Sequence, residues 1–212
     1  MGKNKILSGA FAWLFLGLLI CFITSYVTSM SYDIINFIYG GYKYLILLAV
    51  ELGLAIFLSL RIFKMKPLTA IICYLLYTIL TGVTLTGILL VYTKESIYYV
   101  FLATALIFGS FALIGRYTKT DMTKWGIYLV FAIIAIVILE VVNIFLMNNT
   151  LNMILAIVGI LVFCAFTAYD VQKALRLSEN IPNASIYCAF SLFLDFINLF
   201  IDLIRLFGKK NN

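Results

Sequence analysis

Seven unbroken apolar runs constrain this chain more than any other feature. They occupy residues 8–30, 44–62, 68–92, 96–114, 126–147, 151–169 and 186–204. A helix needs roughly 20 predominantly apolar residues to cross about 30 Å of hydrocarbon, and each run meets that need. The joints are short and polar: 64–67, 93–95, 115–124, 148–150 and 171–183. Pro67 and Pro182 stand at helix entrances, where the missing N–H matters little. Strands of a membrane barrel would alternate apolar and polar residues over about 10 positions, and these runs do not. The pattern predicts an all-α, polytopic membrane protein whose single transmembrane domain takes up residues 1–212.

Composition agrees. Hydrophobic residues make up 65% of the chain and charged residues 11%, whereas soluble domains are about half apolar and a quarter charged. The formal charge of +6 comes from 15 basic and nine acidic residues. It is placed between spans and reads as topology, with no basic tract that would grip nucleic acid. Histidine is absent, which removes the common metal ligand, the near-neutral proton switch and the usual partner of a catalytic Ser or Cys. Cys21, Cys73, Cys164 and Cys188 each sit singly in an apolar run, so zinc, redox chemistry and a disulfide framework lack support. No cofactor and no enzyme activity are expected; the lipid bilayer is the first partner.

The basic residues set the orientation. With the N-terminus in the cytoplasm, Lys3, Lys5, Arg61, Lys64, Lys66, Arg116, Lys119, Lys124, Lys173 and Arg176 lie inside. Lys43, Lys94, Arg205, Lys209 and Lys210 lie outside. Ten against five favours that arrangement. The C-terminal basic residues fit it poorly, so the last helix either spans fully or dips in and returns. The first run, after Met1-Gly-Lys-Asn-Lys, exceeds the 7–15 residues of a signal peptide and has no A-x-A-like site; it reads as a retained helix. Asn148-Asn149-Thr150 and Asn183-Ala184-Ser185 match the glycosylation triplet, a frequent chance match.

Function should reside in the acids that fall in or at the ends of apolar helices: Glu51, Glu140, Asp170, Asp195 and Asp202. A charge near the midplane costs at least about 2.5–3.5 kcal/mol on insertion scales. Asp195, Asn198, Asp202 and Arg205 follow at i, i+3, i+7 and i+10, one polar face on an otherwise apolar helix. Asp202 and Arg205 either pair near an interface or belong to a functional stripe. Asp170 closes the sixth run and is either solvated there or turned inward. Glu51 has no local partner, Arg61 is about 15 Å further along the same helix, and Glu140 is expected to be solvated at a rim. Two carboxyls meeting in low dielectric would share a proton and titrate as a pair.

Tyr169-Asp170-Val171-Gln172, followed by Phe193-Leu194-Asp195-Phe196-Ile197-Asn198-Leu199-Phe200, resembles the signature of the Bax inhibitor-1 (transmembrane BAX inhibitor motif) family, in its bacterial form. Length, seven spans and the Thr81-Gly82-Val83-Thr84 stretch agree. The resemblance implies a seven-helix fold with the last helix central and wrapped by the other six, and a pH-sensitive calcium leak in the bacterial cytoplasmic membrane. It implies Asp170 and Asp195 as the proton-sharing sensor, Arg61 as the latch that holds them closed, and Glu51 as a pore-facing acid. Asn198 and Asp202 join Glu51 along the ion pathway. Glu51 and Asp195 offer hard oxygen ligands suited to Ca²⁺, so Ca²⁺ and protons are the expected small partners.

Other functions use the same acids. A proton-coupled secondary transporter would show saturable uptake, but no internal repeat or broken helix is evident. An intramembrane aspartyl protease would carry its second aspartate in G-x-G-D, whereas this chain reads Leu192-Phe193-Leu194-Asp195. A non-conducting scaffold would tolerate neutral acids.

Overall fold

The computed structural model describes residues 3–178 and 180–211. Among them, seven helices are long and apolar enough to cross a membrane: α1 (Lys3–Ser29), α3 (Lys43–Arg61), α4 (Pro67–Val91), α5 (Lys94–Tyr117), α6 (Trp125–Leu146), α7 (Asn149–Arg176) and α8 (Ala184–Phe207). A short helix, α2 (Tyr32–Tyr39), lies between α1 and α3, and 3-10 turns occupy Ile62–Lys64 and Met122–Lys124. The helix starts follow local chemistry. Ser31 caps α2 by accepting from the Ile34 N–H, Thr93 caps α5 by accepting from Ser96, and Pro67 opens α4. Among the described residues no strand forms beyond one isolated antiparallel bridge, Tyr92 to Lys210. The protein is therefore an all-α polytopic membrane protein.

The sixth span differs from expectation at its C-terminal end. The apolar run stops at 169, but α7 continues to Arg176, with Val171 and Ala174 buried. Asp170 thus lies within the helix rather than at its close.

The chain divides into two compact units. The first comprises the described residues of Met1–Tyr92, Leu177–Phe193 and Lys210–Asn212; the second comprises Thr93–Arg176 and Leu194–Lys209. α8 belongs to the first unit as far as Phe193 and to the second from Leu194.

In the first unit α1 and α4 meet through small residues, the usual means of close approach where lipid removes any hydrophobic drive. A β-carbon at Gly82 would lie 2.6 Å from the Cys21 carbonyl oxygen, and one at Gly17 would strike the Tyr74 hydroxyl. Tyr74 donates across the same contact to the Trp13 carbonyl at 2.8 Å. The opening turns of α8 pack here too, with Phe190 edge-on to Tyr77 at 5.2 Å and Phe193 edge-on to Tyr74 at 6.3 Å. In the second unit Gly115 of α5 abuts the Ala168 backbone of α7, and Gly126 of α6 lies under the Tyr169 ring. Phe196 of α8 sits edge-on to Phe101 and Phe108 of α5 at 5.5 and 5.3 Å. Over its most apolar stretch α8 is 67% buried, whereas that of α3 or α6 is 11% buried. α3 and α6 therefore leave most of that stretch uncovered by protein, and α8 leaves little.

α8 is 24 residues long and apolar enough to cross a membrane. Beyond it, the described tail residues bond near the ends of α4 and α5. Within the first unit the Asn211 N–H donates to the Val91 carbonyl at 2.9 Å. Within the second the Thr93 N–H donates to the Lys209 carbonyl at 2.9 Å.

Candidate functional site

Asp170 and Asp195 both fall in the second unit, and both are buried, at 8% and 3% exposure. Asp170 is carried by α7, which is held in place around it by its neighbours: Gln172 receives the Met122 N–H at 2.8 Å and donates to the Thr120 carbonyl at 2.9 Å. Asp195 is carried by α8 between the ring contacts of Phe193 and Phe196. Its Oδ2 is buried and has no hydrogen-bond partner among the described residues. The two carboxyls lie within electrostatic reach of each other, and Lys173, one turn beyond Asp170, is within reach of that acid.

A second cluster lies nearer the end of α8. Arg205 donates to Glu140 of α6 at 2.5 Å and to Asp202 of its own helix at 3.4 Å. Glu140 is therefore engaged rather than left to solvent, although its side chain is 36% exposed. Asp202 is buried, and its carboxylate occupies the space that Gly159 of α7 leaves by lacking a β-carbon.

Glu51 belongs to the first unit and is half-buried. Its partners come from α4: the Thr81 hydroxyl donates to Oε1 and the Thr84 hydroxyl to Oε2, each at 2.6 Å. Both carboxylate oxygens are thus met by hydroxyl donors, which is what keeps a charged group tolerable at low dielectric. In the sequence these threonines stand out only as the ends of the Thr81-Gly82-Val83-Thr84 stretch. Their i, i+3 spacing on one face of an apolar helix was the signal available.

The remaining expected residues stay apart from these groups. Arg61 is exposed at the end of α3 and makes no ion pair among the described residues. The turn beyond it is fixed by Asn183, whose amide donates to the carbonyls of Ile62 and Met65 at 2.7 and 2.9 Å. That engagement gives Asn183 a structural use inside its glycosylation-like triplet, and its left-handed backbone (φ 58) is one that Asn tolerates. Asn198 turns its amide back to the Leu194 carbonyl of its own helix at 2.8 Å. Among the described residues no group of three or more His, Cys, Asp or Glu side chains is placed to hold a metal ion.

At the end of α5 a clasp joins the joint between α5 and α6 to α7. Arg176 donates to Asp121 at 2.5 Å and also to the Thr123 hydroxyl. The Thr123 hydroxyl and N–H donate to the same Asp121 oxygen at 2.7 and 2.9 Å. The Thr123 donors first, and Arg176 after them, hold the Asp121 carboxyl well below the usual carboxylate range.

Seven long apolar helices, with aspartates buried in the last two, define a polytopic membrane protein. The family follows from comparison with known proteins: the chain belongs to the one described as "Inhibitor of apoptosis-promoting Bax1", whose family model matches residues 3–212. It is 36% identical to an uncharacterized protein of Borreliella burgdorferi over 218 residues, covering 99% of this chain and 94% of the relative. It is 34% identical to the inner membrane protein YbhL of Escherichia coli K12 over 218 residues, covering 99% and 93%. A Rickettsia prowazekii protein, RP147, is 34% identical over 173 residues, 79% of this chain and 73% of its own. The resemblance carried by Tyr169–Gln172 and Phe193–Phe200 is therefore membership.

Proposed function

We propose that the chain is a pH-sensitive calcium leak channel of a bacterial inner membrane, with its N-terminus in the cytoplasm and its gate controlled by protonation of Asp170 and Asp195. The observation that carries this reading is the Asp195 carboxyl: buried in α8, within electrostatic reach of Asp170, with Oδ2 unpartnered among the described residues. Two such carboxyls cannot both ionise cheaply, and a shared proton relieves them. Arg61, exposed and outside any ion pair among the described residues, serves as the latch that meets the ionised pair. Glu51, Asn198 and Asp202 line the ion pathway, and Glu51 and Asp195 supply hard oxygen ligands to passing Ca²⁺. The inner-membrane placement takes support from YbhL, whose name carries it.

The test is Ca²⁺ release from liposomes holding the reconstituted protein, followed across pH. Asp170→Asn and Asp195→Asn should each flatten the pH profile, because the pair can no longer exchange its shared proton. Unaltered flux and profile in both variants would remove the sensor assignment. Saturable uptake driven by a proton gradient, in place of passive release, would make the protein a proton-coupled transporter instead.

A further inference from the structure

The segment between α1 and α3 holds the one α-helix among the described residues that is too short to span. Eight residues of helix extend about 12 Å, far short of a crossing, and none of the eight is buried. Its exposed side chains mix polar Asp33 and Asn36 with large apolar ones: Tyr32 is 75% exposed, Phe37 65% and Ile34 43%. Lys43 lies over the Phe37 ring, 3.9 Å from its centre. The apolar surface continues on both sides, through Val27 and Met30 at the end of α1 and Leu45 and Ile46 at the start of α3, all exposed. Those flanking residues face lipid because they belong to membrane spans. An apolar helix face joined to that surface, edged with Tyr, Phe and Lys, has the chemistry of the headgroup boundary.

One residue of α2 points the other way. The Tyr39 hydroxyl accepts from the Gly87 N–H of α4 at 2.7 Å, and offers its proton to the carbonyls of Val83 and Thr84, each at 3.0 Å. Gly87 N–H and Val83 C=O are the donor and acceptor of one helical turn, so the phenol is inserted into the hydrogen-bond ladder of α4. Gly87 leaves room for it: a β-carbon there would lie 3.2 Å from the Tyr39 ring. Burial pushes the phenol up to about 12, so its proton stays in place at ordinary pH. Thr84, whose carbonyl takes part in this contact, is the residue whose hydroxyl donates to Glu51.

We propose that α2 is an interfacial helix seated in the headgroup region of the bilayer, and that Tyr39 is a positioning residue coupling that seat to the Thr84–Glu51 contact. The seating stands by itself; its consequence for ion flux rests on the channel reading above.

Two measurements on the full-length protein in phosphatidylethanolamine–phosphatidylglycerol liposomes test it. In a background carrying Trp13→Phe and Trp125→Phe, the Phe37→Trp variant places a single indole on α2. Lipids brominated near the headgroup should quench it more than lipids brominated near the chain ends, and aqueous iodide should quench it weakly. Strong iodide quenching with no effect of brominated lipid would overturn the seating. Tyr39→Phe keeps the ring against Gly87 and removes only the hydroxyl. It should speed amide exchange at Gly87 about two- to tenfold, and shift the Glu51 carboxylate infrared band, assigned by its loss in Glu51→Gln. An unmoved carboxylate band, with or without faster exchange, would overturn the positioning role. Neither readout uses Ca²⁺ flux, so both can hold while the channel reading fails.

Discussion

Gly159 and Asp202 face each other across α7 and α8, and a β-carbon at position 159 would run into the Asp202 Oδ2 oxygen. The carboxylate cannot simply swing aside, since Arg205 and the burial around it hold its position. Gly159→Ala should therefore lower stability by about 1–3 kcal/mol, the usual range for overpacking, read as the thermal midpoint of the detergent-solubilised protein. Gly109→Ala is the control: nothing lies within 4 Å of its would-be β-carbon, and the exchange should be neutral or slightly stabilising. Equal effects at the two glycines would refute the close approach.

Arg205 joins two acids on different helices, with its own side chain 29% exposed. Arg205→Gln should cost about 1–3 kcal/mol, because Asp202 is then buried beside no cation. Glu140→Gln should cost less than about 1 kcal/mol, since that side chain is partly solvated and an amide oxygen still accepts. Chemical denaturation of the two variants gives the order; a reversed order would mean that Glu140, not Asp202, is the acid Arg205 serves.

Thr81 and Thr84 each donate one hydrogen bond to Glu51. Valine keeps the β-branched shape and removes the hydroxyl, so Thr81→Val and Thr84→Val should each cost about 0.5–1.5 kcal/mol. In a Glu51→Leu background that loss should vanish, because the hydroxyls have no acid left to serve. A double-mutant cycle measures the difference. Losses that persist in the Leu background would locate the threonines' role in packing within α4.

The spans were legible because crossing a bilayer imposes a length, and a continuous apolar run displays it. The polar face of α8 was legible for a similar reason: Asp195, Asn198, Asp202 and Arg205 repeat at helical spacing within one element. What the sequence hid were partners from distant elements. α7 outruns its apolar stretch to Arg176 where Gln172 and Arg176 bond to residues 120–123, some 50 positions earlier. Glu140 looked like a rim acid because Arg205 lies 65 residues away. α2 lies between the first two runs in a stretch too short to span; its apolar residues do recur at helical spacing, with Ser31 as an N-cap signal.

The Asp121 clasp supplies a pH prediction of known sign. Its carboxyl is held below the unfolded value of about 3.9 by the Thr123 donors and then by Arg176. A depressed folded value means that the stability contributed is fully present above the unfolded value and is lost only as pH falls through the folded one. From pH 7 to pH 5 the group is ionised in both states, so the clasp stays closed throughout that window. Asp121→Asn should thus loosen the joint between α5 and α6 equally at pH 7 and pH 5, seen as faster amide exchange at Thr123, whose N–H loses a charged acceptor. It should leave the midpoint of any acid response between those pH values where it was. A midpoint displaced by this substitution would make the clasp part of the sensor and take that role away from Asp170 and Asp195 alone.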